Sequence, residues 1–93
     1  MMRHRIRLPL HVQDASGLAD HLLEMSRLMA GTARAQASVL ASAAGVLRIR
    51  TLGGALASLV AEAEAETDAE RRGAIQGCID AVRRIAECSR EMA

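Results

Sequence analysis

Residues 5–12 of the chain, RIRLPLHV, alternate between two sides: Ile6, Leu8, Leu10 and Val12 on one, Arg5, Arg7, Pro9 and His11 on the other. Period two over this length belongs to a half-buried strand or an extended arm. Pro9 has no N–H to give a ladder, so residues 3–12 are expected to be extended or to form an edge strand. From Asp14 the spacing turns helical. Asp14 or Ser16 offers an N-cap, and Leu18, Leu22, Met25, Leu28 and Met29 share a face that Asp20, Glu24 and Arg27 avoid. The pattern resumes beyond Gly31-Thr32 through Val39, Leu40 and Ala43, which predicts helix over 16–44, in one piece or parted at Gly31.

The tripeptide Arg-Ile-Arg recurs at 48–50, where a helical stripe fits more positions than an alternation does. Val46, Ile49, Leu56, Leu59, Val60 and Ala63 follow that stripe, which predicts helix over 46–66. Gly53-Gly54 marks a candidate break, because two adjacent glycines cost about 2 kcal/mol in a helix interior. Taken at period two, Leu47, Ile49 and Thr51 instead define a strand, and the alternative fold is α+β with strands at 4–12 and 46–52. The strongest signal lies at 68–91. Thr67 and Glu70 have the spacing of a capping box. Ile75, Cys78, Ile79, Val82 and Ile85 then form one face, with Arg72, Gln76, Asp80, Arg83, Arg84 and Glu87 opposite. The expected fold is mainly α: a small helical bundle over residues 1–93 as one domain, with an N-terminal extended segment or β-strand.

Composition sharpens this picture in two ways. Of the 93 residues 19 are alanine and none is Phe, Tyr or Trp, so the core must be built from Leu, Ile, Val and Met. Such a core buries little area per residue, and dimerisation is the expected supplement. The net charge of +1 conceals an asymmetry, since residues 1–50 carry seven arginines against three acids and residues 51–93 five against eight. A basic front and an acidic back suit two different partners, although solvated helix faces give the same count.

Little points to chemistry. Cys78 and Cys88, ten residues apart on one helix, would lie roughly 15 Å apart along its axis, beyond disulfide reach, and are expected as free thiols of a reducing compartment. No apolar run approaches the ~18 residues of a membrane span, so a cytoplasmic chain with no membrane association is expected. His21, Met25 and Met29 recur at helical spacing as soft-metal ligands do, but a Met-rich core edge with a boundary histidine accounts for the same pattern. No metal, cofactor or catalytic residue is assigned, and no Ser/His/acid, Cys/His or P-loop arrangement is present in the local spacing. The expectation is therefore that the chain is not an enzyme.

Two functional readings remain. The first is a helical protein–protein interaction module of adaptor or cochaperone type, a homodimer or the partner of another protein. Its contact stripes would be Leu18, Leu22, Met25 and Met29 on the first helix and Ile75, Ile79, Val82 and Ile85 on the last. The second takes its cue from element order. A basic strand carrying Arg3, Arg5 and Arg7, then a helix, a turn at Gly31 and a second helix, resembles the arrangement of ribbon-helix-helix regulators over about half the chain. That resemblance implies a dimeric basic ribbon contacting DNA, with the acidic half binding a protein. Pro9 within the strand, the small net charge and the sparse helix start at Gly31-Thr32 depart from that pattern.

Overall fold

The structure is a computed structural model that describes the backbone of residues 5–92 and the side chains of residues 5–88. Four helices form a mainly α bundle: α1 (Ala15–Met29), α2 (Arg34–Ile49), α3 (Leu52–Ala65) and α4 (Ala69–Met92). No strand is present among the described residues. Residues 5–9 are extended, and a turn at Leu10–His11 leads toward α1. The α+β alternative is thereby overturned, because residues 46–49 are the last turn of α2 and residues 5–12 pair with no strand.

Each boundary has a local cause. Asp14 caps α1, its Oδ1 accepting from the Gly17 N–H at 2.7 Å, and Thr51 caps α3 by accepting from Gly54 at 3.0 Å. Both caps lean over a glycine: a Cβ at either position would come within 3.1 Å of the capping oxygen. Gly53-Gly54 is therefore the first turn of a helix rather than a break. The chain does part after Met29, whose carbonyl accepts from Thr32 and Ala33, while α2 runs straight through Gly45. The start of α4 also differs from the Thr67 capping box. Asp68 is the cap, its Oδ2 accepting from the Arg71 N–H at 2.9 Å. Glu66 fixes this turn, holding Asp68 N–H at 3.2 Å and Arg71 Nε at 3.0 Å, and its carboxyl is held below the usual range chiefly by the Arg71 hydrogen bond.

The helices alternate in direction. Ser26 and Ala37 are joined at 2.6 Å near the α1–α2 turn, and Arg48 pairs with Asp20 toward the other end. Gln36 donates to Glu70 at 3.2 Å, so α2 and α4 start at the same end. The core contains Leu18, Leu22, Leu40, Leu47, Leu59, Cys78, Val82 and Ile85. α1 packs mainly on α2, and α4 packs on both α2 and α3, whereas α1 and α4 touch only lightly. Leu22→Ala is expected to lower stability by about 2–5 kcal/mol, and Thr51→Ala by about 1 kcal/mol through the lost cap, both measurable by urea unfolding.

Candidate functional site

The light contact between α1 and α4 leaves a groove, and residues 5–9 lie along it as a strap. Arg5 and Ile6 share one cavity with Met29 and Ala74, near the end of α1 and the start of α4. Leu10 and Val12 share another with Ile85 and Cys88. The strap thus runs antiparallel to α1 and parallel to α4. The alternation seen in the sequence sets which side chains enter: Ile6 is 3% exposed and Leu8 half-buried, while Arg5 and Arg7 face solvent.

Two side chains, one from each wall, grip the strap by its main chain. His21 of α1 donates from Nε2 to the Arg7 carbonyl at 2.9 Å, and Arg84 of α4 donates to the neighbouring Ile6 carbonyl at 2.6 Å. Donors aimed at consecutive carbonyls hold an extended backbone whatever its side chains are. The strap does not fill its groove. An open cavity of about 850 Å³ lies between it and His21, Met25 and Arg84, with cavities of about 460 Å³ and about 300 Å³ at its two ends.

These facts relocate the residues singled out from the sequence. Leu18, Leu22, Ile75, Ile79, Val82 and Ile85 are buried in the core of the single chain, Ile85 also lining the cavity beside the strap turn. They form apolar stripes because the stripes of α1 and α4 are used inside the bundle. Met25 and Met29 are half-buried and line the strap groove instead. Arg3 lies outside the described residues. Arg5 and Arg7 are exposed, but on a segment tied down in its own bundle rather than on a free ribbon strand. The residues that the sequence reading missed are His21 and Arg84 in their actual role. Arg84 and Ile6 are 78 positions apart, so no spacing rule joins them.

No group of three or more His, Cys, Asp or Glu residues that could hold a metal ion occurs among the described residues. No helix among them is long and apolar enough to cross a membrane. Comparison with protein-family models, with curated proteins and with solved structures returned no match.

The two thiols differ in setting, Cys78 being buried and Cys88 exposed beside the strap turn. Desolvation, and then the negative charge of Glu62, push the Cys78 thiol up to about 12. In the unfolded chain a thiol ionises near its ordinary value of about 8.5, so the unfolded state loses this proton first. The stability tied to Cys78 is intact below that pH and falls as pH rises toward 12. A thiol reagent in mildly alkaline buffer is expected to modify Cys88 and spare Cys78 until denaturant is added. Equal rates for both in the native protein would contradict the burial.

Proposed function

We propose that the chain is a non-enzymatic helical interaction module that holds an extended protein segment in the groove between α1 and α4. The observation that carries this reading is the strap itself: an extended stretch seated through Ile6, with its consecutive carbonyls held by side chains from both walls. A groove of this kind recognises a partner by backbone shape and by one branched aliphatic side chain. It needs no catalytic group.

Magnitudes favour exchange of the occupant. Burying Ile6 contributes about 1.5–3 kcal/mol. The two hydrogen bonds add about 0.5–3 kcal/mol each, the Arg84 one at the upper end. Ordering five residues costs about 1–2 kcal/mol apiece. These terms nearly cancel, so the strap is held weakly enough for a competing segment to replace it. The basic-ribbon reading has less support, because the backbone it needs for pairing across a dimer is engaged by His21 and Arg84.

The test is a labelled peptide with the sequence RHRIRLPLHV, titrated into the full chain carrying Ile6→Asp. That substitution removes the plug from the groove, and circular dichroism checks that the helices remain. The variant is expected to bind the peptide roughly tenfold or more tightly than wild type, the factor that loss of one buried aliphatic anchor from the competitor implies. A peptide with aspartate in place of its isoleucine should not bind. If neither protein binds the unmodified peptide, the groove does not serve as a docking site.

A further inference from the structure

Three arginines gather at the open cavity beside the strap. Arg5 and Arg7 stand two residues apart on extended backbone, so their side chains leave on the same side, about 6.5–7 Å apart at the main chain. Arg84 reaches the residue between them from α4, its Nη2 donating to the Ile6 carbonyl at 2.6 Å. His21 fixes the next carbonyl, that of Arg7, from α1 at 2.9 Å. Arg5, Arg7 and Arg84 thereby line one cavity of about 850 Å³, together with Leu8, Pro9 and Met25.

No carboxylate balances them there. The residues around this cavity include no Asp or Glu, and none of the three arginines is in an ion pair among the described residues. The arginines that meet acids lie elsewhere, Arg48 with Asp20 and Arg71 with Glu66, while Glu87 lines the neighbouring cavity at the turn. Like charges gathered in one place repel one another, and an anion that enters between them removes that cost. Arg84 is half-buried, so its charge is screened less than that of a surface arginine. One of its N–H groups holds the strap, and the rest of the planar fork is left for a ligand.

We propose that this cavity binds a phosphate monoester with a short apolar body, the phosphate held by Arg5, Arg7 and Arg84 and the body lying against Leu8, Pro9 and Met25. Such an ester brings nearly two negative charges and three acceptor oxygens, one for each guanidinium, whereas a carboxylate has two oxygens and a single charge. The cavity is far larger than a bare phosphate and has the size of sites that take small organic ligands. Leu8, Pro9 and Met25 give the remainder of the ligand an apolar wall, and the flexible Met25 side chain adapts to its outline. His21 is a positioning residue: it holds the main chain of Arg7 and so keeps that side chain at the cavity. The strap builds this site in its own groove, so the site stands whether or not a partner segment ever takes the strap's place.

The experiment titrates the full chain with hexyl phosphate by calorimetry at low ionic strength. Saturable binding of one ligand per chain is expected. Methyl phosphate should bind more weakly, by about fourfold for each methylene that the longer body buries, and hexanol, which lacks the anion, should not bind. Arg5→Gln and Arg7→Gln, at exposed positions where circular dichroism should show the helices intact, are each expected to weaken hexyl phosphate about tenfold or more. Arg27→Gln removes the same charge from an exposed position outside the cavity and should leave the affinity unchanged. Vesicles of phosphatidylcholine with and without phosphatidic acid distinguish the sources of the ester. Capture by the anionic vesicles that is lost in Arg7→Gln assigns the phosphate to a lipid headgroup, and hexyl phosphate binding without capture assigns it to a soluble ester. Absence of saturable binding to hexyl phosphate overturns the proposal. So does a loss in Arg27→Gln equal to that in Arg7→Gln, which reports net charge instead of a site. Neither result touches the groove reading, which the peptide titration tests separately.

Discussion

A core without aromatic side chains depends on helices coming close enough for small residues and branched aliphatics to fill the space between them. α4 meets that condition. Gly73, Ala74, Gly77, Cys78 and Ala81 are all buried along it, interleaved with Ile75, Ile79, Val82 and Ile85. This face seats α4 against both α2 and α3. α1 packs mainly on α2 and is tied to it by the Ser26 hydroxyl, which donates to the Ala37 carbonyl. The two helices that flank α2 therefore barely reach each other, and the groove between them follows from the packing of the rest.

The strap is the remedy for that gap as well as the basis of the function proposed. Ile6 supplies a core residue that no helix contributes, and His21 and Arg84 reach in from either wall to main-chain carbonyls. Because the strap belongs to the core cluster yet is flanked by open cavities, it is part of the fold and loosely held at once. A segment with both properties can be replaced by one of like form without disturbing the helices beneath it. Arg84 also ties the first described residues to the last helix, so the state of the groove and the packing of α4 are linked.

Much of the local structure was legible because it depends on neighbours in sequence. The α4 stripe from Ile75 to Ile85 follows from periodicity alone, while local chemistry left the α1 cap open between Asp14 and Ser16 and the chain through Gly31 open between one helix and two. The α2–α3 boundary was misplaced for a reason equally local: Thr51 caps α3 over Gly54, and a glycine beneath a capping oxygen resembles a break when only propensity is considered. At the start of α4, Asp68 prevailed over Thr67 because Glu66 and Arg71 hold that turn from outside the helix.

The candidate site was much less legible. The sequence by itself determined that residues 5–12 present one apolar and one polar side, that the remainder of the chain is mainly helical in its patterning, and that its core lacks aromatics. It could not determine where each apolar stripe goes, because periodicity reports that a face is buried and is silent on what buries it. Only the tertiary structure decided that the α1 and α4 stripes close on their own chain, that Met25 and Met29 are left on a groove, and that the alternating segment lies in that groove as a strap instead of pairing as a strand. The deciding contacts, His21 with Arg7 and Arg84 with Ile6, join residues far apart along the chain, and their geometry exists only once the helices have packed.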